Sequence, residues 1–269
     1  MQSAFLPSFF CHFSLSAPSS SAFSSPQFSF SSAPAGPSLT LAPTPHFPSK
    51  SLSSSCDDDC PSHIIHAYVQ ALVREQRQAL GINLTIRDRS HGHYPPQQGP
   101  YIFALLNQTS LVESLICPEI PVPFSTFANV EYLLLPFAGW LCAAAGAIPV
   151  VRQWRWHRRR AVARANAFLA QHPSHAMYMS VEGQRSPNGR LGPYHLGCAR
   201  MALANSATIV PLVIRGAREC LPYGSWRLRG GCCELEFLTP ISTRKLSNTK
   251  DMAIALTAQL RELAKQELQ

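Results

Sequence analysis

The sequence predicts an α/β domain in which helices flank a largely parallel central sheet. Short, continuous runs of apolar residues recur along the chain, and such runs are typical of strands that are buried on both faces. Segments with apolar residues at helical spacing separate these runs, and this alternation indicates a layered architecture. The buried strands are predicted at residues 101–106, 147–151, 177–181 and 209–214.

Helices and two further strands complete the predicted domain. The first helix covers residues 64–80, with Ser62 as its N-cap and Gly81 as its stop, and it either packs on the domain or lies along a membrane. The other segments are strands at 82–86 and 234–238, a helix-like stretch near 111–117, and helices at 159–171 and 252–268. The helix at 159–171 is expected to place Val162, Ala165, Ala167, Phe168 and Leu169 on or near its inner face.

The first 60 residues differ in composition from the rest of the chain. Residues 1–56 contain 18 Ser and 8 Pro, and Lys50 is their only charged residue. Such a composition cannot offset chain entropy by burial, so we expect a disordered tail at 1–60 and one domain at 61–269. Hydroxyl-rich, acid-free N-termini are also typical of organelle transit peptides, particularly plastid ones. A non-specific tail and a misassigned start codon remain the alternatives.

The domain itself is strongly basic. Residues 1–60 hold one Lys and three Asp, so residues 61–269 carry 22 basic and 12 acidic side chains, a net charge of +10. This surplus suits an anionic partner, and composition leaves nucleic acid, an anionic membrane and a phosphorylated substrate open. The nine cysteines follow no common zinc or redox spacing, so we expect reduced, mostly structural cysteines and no metal site.

One apolar stretch has nearly the length of a membrane span. Residues 133–151 carry no charge, but Pro136, Gly139, Gly146 and Pro149 interrupt them. A buried helix followed by a strand is the preferred interpretation, with shallow membrane insertion as the alternative.

Three polar segments follow predicted strands. The segment Val181-Glu182-Gly183-Gln184-Arg185-Ser186 places an arginine and backbone N–H groups where ligands collect in open α/β sheets. The planar guanidinium of Arg185 suits a phosphate group, although an ordinary strand–turn with a surface arginine would look the same. The segments 146–152, which ends in Arg152, and 106–113 also end predicted strands.

Taken in order, these segments resemble the motifs of the lysophosphatidate (1-acylglycerol-3-phosphate) acyltransferase family. That family shows Asn-His-x-Ser-x-x-Asp after a strand, then Gly-x-x-x-Ile-x-Arg, Glu-Gly-Thr-Arg-Ser, and an apolar stretch with Val-Pro. The corresponding segments here are 107–113, 146–152, 182–186 and 209–214. The resemblance covers roughly residues 80–240 and implies a glycerolipid acyltransferase-like fold.

The resemblance also implies roles for single residues. The family transfers a fatty acyl group from a coenzyme A or acyl-carrier-protein thioester to a lysophospholipid hydroxyl, with no further cofactor. Arg185, helped by Arg152, would bind the acceptor phosphate, while Glu182, Gly183 and Ser186 belong to the same pocket. Phospholipid biosynthesis at a membrane surface would be the setting.

The sequence departs from the family at the residues that perform the chemistry. The histidine position holds Gln108 and the aspartate position holds Glu113. An amide side chain cannot accept a proton near neutrality, so the general base of the family is missing. Gln108 could still donate a hydrogen bond to a developing oxyanion, and Glu113 could pair with its amide. His91, His93 and His195 are the candidates for a replacement base, and their spacing favours none of them.

A cluster of two tryptophans and five arginines at 152–160 stands outside these motifs. Bases could stack on the tryptophans, but no recognised nucleic-acid module surrounds them, so no nucleic-acid partner is predicted. Indoles and cations also suit a membrane interface, and an exposed helix start is the third interpretation.

Two functional hypotheses follow. The first is a membrane-associated acyltransferase with a displaced or unusual base. The second is a degenerate relative, a pseudoenzyme that binds phospholipid or acyl thioester without turning it over.

Overall fold

A computed structural model describes residues 61–90, 99–133, 146–151, 153–172, 175–225 and 227–268. The expectations for the tail at 1–60 and for a helix within 134–145 lie outside these residues. The described helices are α1 (Pro61–Ala79), α2 (Val130–Leu133), α3 (Arg155–Gln171), α4 (Gly197–Ala204), α5 (Ala217–Cys220) and α6 (Lys250–Leu268), with 3-10 turns at Val112–Leu115 and Cys117–Glu119. The strands are β1 (Ile82–Asp88), β2 (Tyr101–Leu105), β3 (Phe124–Asn129), β4 (Ile148–Val150), β5 (Ala176–Ser180), β6 (Thr208–Arg215), β7 (Gly231–Phe237) and β8 (Ile241–Ser242).

The described strands form one sheet in the order β1-β7-β6-β2-β5-β3-β4, with β8 beside β6. Strand β2 runs parallel to both of its neighbours, β5 and β6, and β3 runs parallel to β5 and β4. Strand β6 is antiparallel to β7 and β8. The prediction of a mostly parallel sheet flanked by helices is therefore confirmed.

Most of the predicted elements form within a few residues of their expected bounds, and three details are wrong. Helix α1 begins at Pro61, so Ser62 lies inside it rather than capping it. The stretch near 111–117 forms two successive 3-10 turns instead of a helix, and Pro118 lies in the second of them. In α3 the side chains of Val162 and Ala167 are exposed, and the buried ones are Ala161, Ala165 and Leu169.

Two elements near the site were not predicted at all. Strand β3 contains Ser125, Thr126 and Asn129 and lacks an apolar run. Helix α4 has only eight residues and begins at Gly197, so its helical period is too short to stand out.

Strand β2 divides the core into two layers. Its even-numbered residues Ile102 and Ala104 pack in one cluster with residues of α3, α4 and α6. Phe103 and Leu105 point to the opposite face and pack with the 3-10 turns and α5. This alternation explains why the segment is continuously apolar, because both faces of the strand are buried.

Helix α1 is tied to the second layer by an ion-pair cluster. The Glu119 carboxylate accepts hydrogen bonds from Arg74 at 2.8 Å and from Arg77 at 2.9 Å. Burial by itself would raise the pKa of Glu119, but the hydrogen bonds from the two arginines outweigh it and leave the pKa below its usual value. This contact shows that α1 packs on the domain, although Ile64, Ile65 and Tyr68 on the same helix are exposed. Within the described ranges, no helix is long and apolar enough to cross a membrane.

Replacement of Glu119 by Gln should lower the free energy of unfolding by about 3 kcal/mol, because the nearly buried Arg77 would lose its counter-charge. Equilibrium urea denaturation of the full chain measures this change. Glu262→Gln is the matched control, since the Glu262–Lys265 pair is exposed and should contribute less than about 0.5 kcal/mol. Equal effects of the two substitutions would show that the Glu119 cluster does not anchor α1.

Candidate active site

The three polar segments predicted from the sequence meet at one edge of the sheet. Strands β2 and β5 are parallel neighbours, so the segments that follow Leu105 and Ser180 leave the sheet side by side. Strand β4 joins the same edge through β3. Arg152, which follows β4, lies outside the described residues, as do His91 and His93.

Asn107 fixes the start of the loop after β2. Its amide group donates to the carbonyl oxygen of Ile214 at 2.6 Å and accepts from the backbone N–H of Ile214 at 3.1 Å. The side chain is buried, so these two bonds satisfy it within the protein. Asn107 therefore fixes the loop to β6 and sets the position of Gln108, the next residue.

Glu182 joins this loop to the loop after β5. One oxygen of its carboxylate accepts the backbone N–H of Gln108 at 2.9 Å, and the other accepts the backbone N–H of Gly192 at 2.6 Å. Only 2 % of the residue is exposed. Burial raises the pKa of Glu182, and the two backbone hydrogen bonds oppose that rise. Glu182 thus connects the loop after β2 with the loop after β5.

Ser186 also joins the loop after β5 to the loop after β2. Its backbone N–H donates to the carbonyl oxygen of Gln108 at 2.7 Å. Its hydroxyl lies 2.7 Å from the carbonyl oxygen of Arg190 and 3.1 Å from the side-chain oxygen of Asn188. The backbone of Gln108 is therefore held on both sides, by Glu182 and by Ser186.

Glu113 stabilises the turn that it ends. Its Oε1 accepts hydrogen bonds from the N–H groups of Thr109 and Ser110 and from the Thr109 hydroxyl, at 2.6–3.0 Å. Its Oε2 is buried and has no hydrogen-bond partner among the described residues. The pairing with the Gln108 amide that the sequence suggested is therefore not formed. Burial raises the pKa of Glu113 to about 7, against the hydrogen bonds from Thr109 and Ser110.

The Gln108 side chain faces a cleft of about 270 Å³, near the lower end of the ~300–1,000 Å³ range of small-molecule sites. Its amide oxygen Oε1 is buried and has no hydrogen-bond partner among the described residues. The walls of the cleft are largely apolar, with Phe127, Val150 and Met179 among them. Arg158 and His195 also line the cleft.

Arg185 lies on the loop after β5, with its side chain half-buried. Its guanidinium carbon is 5.2 Å from the centre of the Tyr223 ring, within the range of a cation–π contact. None of the ion pairs found in the described part of the chain includes Arg185. The tyrosine holds the guanidinium without neutralising it, which is the state that an anion-binding arginine requires.

Gly183 permits a close approach that the sequence did not predict. It adopts a left-handed φ of +66°, which favours glycine, and a Cβ atom there would lie 3.2 Å from Cδ2 of His195. The imidazole of His195 thus packs directly over Gly183 at the edge of the cleft. No sequence spacing indicates this contact, because it depends on how the loop folds back.

In the described residues, no group of three or more His, Cys, Asp or Glu side chains could hold a metal ion.

Comparison with known proteins supports the resemblance that the motifs showed. Residues 91–215 of the chain match the family model described as Acyltransferase.

Curated proteins are similar to the chain over part of its length. The chain is 28 % identical over 176 residues to human 1-acyl-sn-glycerol-3-phosphate acyltransferase alpha. The matched residues make up 65 % of this chain and 60 % of the human protein. It is 23 % identical over 131 residues to the Arabidopsis thaliana 1-acyl-sn-glycerol-3-phosphate acyltransferase LPAT1, chloroplastic, across 49 % of this chain and 36 % of that protein. The match thus spans no more than about three fifths of these curated relatives.

A solved structure has the same fold. The 1-acyl-sn-glycerophosphate (LPA) acyltransferase PlsC from Thermotoga maritima superimposes with a TM-score of 0.61 over 77 % of this chain and 80 % of that one. Sequence identity is 16 %, so the likeness concerns the fold.

The buried Glu113 should make stability depend on pH. Because its pKa is about 7 in the folded chain and 4.5 without burial, the folded state binds the extra proton between these values. Its contribution to stability is full below pH 4.5 and is lost as the pH rises to 7, by roughly 3 kcal/mol at ~1.4 kcal/mol per unit. Glu113→Gln should remove this part of the pH dependence in urea denaturation at pH 5 and pH 8.

Glu119→Gln provides a control. The pKa of Glu119 is lowered from 4.5, so its contribution is present throughout pH 5–8 and is lost only as the pH falls below that range; Glu119→Gln should therefore leave the pH dependence between pH 5 and pH 8 unchanged. If the unfolding free energies of the Glu113→Gln variant and the parent chain follow parallel lines from pH 5 to pH 8, the Glu113 carboxyl does not titrate as described.

Proposed function

We propose that this chain transfers a fatty acyl group from an acyl thioester to the hydroxyl of a lysophospholipid of the lysophosphatidate type. The observation that carries the proposal is that Glu182 joins the Gln108 loop, which lines a largely apolar cleft, to the loop that carries Arg185, which itself lies outside the lining of that cleft. The printed activity of the relatives, 1-acyl-sn-glycerol-3-phosphate acyltransferase, supports it. The acyl donor would be a coenzyme A or acyl-carrier-protein thioester, with no further cofactor.

The reaction forms one bond and breaks another. The acceptor oxygen attacks the thioester carbonyl carbon, the C–O bond forms, the C–S bond breaks, and the hydroxyl proton ends on the released thiol. Arg185 would bind the acceptor phosphate through paired, charge-assisted hydrogen bonds. The apolar walls with Phe127 and Val150 would hold the acyl chain. Gln108 would donate its amide N–H to the developing oxyanion, a contact that lowers the barrier without any change of protonation.

A second candidate function rests on Gln108 itself. An amide cannot remove the hydroxyl proton, and a positioned general base contributes about 10²–10⁴-fold to a rate. A chain that keeps the cleft and Arg185 but has no base would bind lipid or acyl thioester without turning it over. Assays of both lipid binding and acyl transfer distinguish this pseudoenzyme from an active acyltransferase.

The membrane would be the second partner, through a patch at the start of α3. The patch consists of Trp154, Arg155, Trp156, Arg158, Arg159 and Arg160. The two indoles stack with their ring centres 5.6 Å apart, and about half of each side chain is exposed. Helix α3 contains no acidic residue, so the patch suits the anionic headgroups and the interfacial depth of a phospholipid bilayer.

The proposal includes a plastid location, with residues 1–60 as a transit peptide. The hydroxyl-rich composition of residues 1–56, which contain no Asp or Glu, supports it, as does the word chloroplastic in the names of relatives from Brassica napus and Arabidopsis thaliana. Membrane association in that setting rests on the patch at the start of α3.

The purified full chain should transfer a long-chain acyl group from acyl-coenzyme A or acyl-carrier protein to lysophosphatidate. Arg185→Ala should lower kcat/KM for the acceptor by about 10²-fold, because a charge-assisted bidentate contact to phosphate contributes about 1.5–3 kcal/mol. Arg227→Ala is the matched control, since Arg227 is exposed and lies outside the loops that follow β2 and β5. Radiolabelled product formation measures both.

Three outcomes separate the candidate functions. Turnover that depends on Arg185 supports the enzyme. Arg185-dependent binding of lysophosphatidate without turnover supports the pseudoenzyme. Equal activity of the Arg185→Ala and Arg227→Ala variants would contradict the phosphate-binding role of Arg185.

The patch should bind anionic vesicles. Replacement of both Trp154 and Trp156 by Ala should weaken binding to vesicles of phosphatidylglycerol and phosphatidylcholine by at least about tenfold in a co-sedimentation assay, because two interfacial indoles are lost. Tyr68→Ala on α1 is the control, since Tyr68 is 67 % exposed on another surface. Loss of binding in the Tyr68 variant alone would assign the membrane contact to α1 instead.

A further inference from the structure

His195 occupies a defined place in the cleft although its side chain is exposed. Its backbone N–H donates to the carbonyl oxygen of Val181 at 2.9 Å, which ties the residue to the end of the β5 segment. The hydroxyl of the preceding residue, Tyr194, donates to the carbonyl oxygen of Leu106 at 2.5 Å. The chain at 194–195 is therefore fixed to both strand ends that form the site.

The imidazole ring lies against the segment that holds Gln108. A Cβ atom on Gly183 would lie 3.2 Å from Cδ2 and 3.8 Å from Nε2 of His195, so the absence of a side chain at Gly183 makes room for this edge of the ring. Gly183 directly follows Glu182, whose carboxylate accepts the backbone N–H of Gln108. The side chains of His195 and Gln108 both line the same cleft.

The surroundings of His195 suit proton transfer. The ring is exposed, so it can exchange protons with solvent between turnovers. The other titratable or charged groups that face the cleft are Arg158 from α3, Tyr178 from β5 and Cys198 from α4, with Glu182 buried beneath Gly183. Burial raises the pKa of Cys198 and of Tyr178, so neither side chain competes with an imidazole as the proton acceptor near neutrality.

We propose that His195 is the general base of the acyl transfer, in place of the side chain at position 108; this inference rests on the proposed function. The neutral imidazole takes the proton of the acceptor hydroxyl as its oxygen bonds to the thioester carbonyl carbon. When the C–S bond breaks, the imidazolium returns the proton to the leaving sulfur, which departs as a thiol. The Gln108 amide donates a hydrogen bond to the oxyanion, so the general base and the oxyanion donor are two different residues.

The test measures acyl transfer to lysophosphatidate by the full chain and by His195→Gln, which keeps hydrogen bonding but not basicity. We expect kcat to fall about 10²–10⁴-fold, while KM for lysophosphatidate changes less than about threefold. Addition of Gln108→His to the His195→Gln variant should raise its kcat at least about tenfold.

His172→Gln is the matched control, because His172 is exposed at the end of α3 and away from the cleft lining. An unchanged urea midpoint of the His195→Gln variant separates a loss of rate from a loss of fold. The proposal is overturned if the parent chain is active and His195→Gln keeps its kcat within about threefold. An inactive parent chain overturns the proposed function and, with it, the role of His195.

Discussion

The site depends on a single buried carboxylate. Glu182 accepts one backbone N–H from the loop after β2 and one from the loop after β5, with almost no contact to water. Two parallel strand ends would otherwise carry independent loops, and each would sample many conformations at a cost of about 1–2 kcal/mol per residue to order. Because hydrogen bonds to a buried charge are stronger than neutral ones, this bridge fixes the position of Gln108 relative to the Arg185 loop. Asn107 and Ser186 reinforce it from the two sides.

The neighbouring carboxylate, Glu113, has a different task from the one that its place in the motif suggested. It caps its own turn through Thr109 and Ser110, and its other oxygen is buried without a partner among the described residues. A carboxyl group in that environment gains stability by holding a proton, so burial governs its protonation more than any partner does. The Glu113 side chain therefore shapes the turn after β2 rather than orienting the Gln108 amide.

The sequence predicted the parts of the site that follow from periodicity, and missed those that follow from loop path. The runs at β2 and β6 are continuously apolar because both faces are buried, and β5 begins with the buried Ala176 and Met177, so the ends of these strands and their convergence at one edge were predictable. Strand β3 was missed because Ser125 and Thr126 break its apolar pattern. The contact between Gly183 and His195 was also beyond prediction, because it requires a left-handed glycine and a loop of eleven intervening residues that folds back onto the strand end. Local patterns carry no information on such a path.

Helix α3 belongs to two surfaces at once. Ala161, Val162 and Arg158 form part of the cleft wall, while Trp156, in the first turn of the helix, and Trp154, directly before it, are exposed. With the indoles seated among headgroups, the mouth of the cleft would open toward the leaflet rather than toward bulk water. A lysolipid could then enter by lateral diffusion with its chain still solvated by other lipids. Occupancy of the cleft would follow the mole fraction of lysolipid in the leaflet, not its concentration in solution.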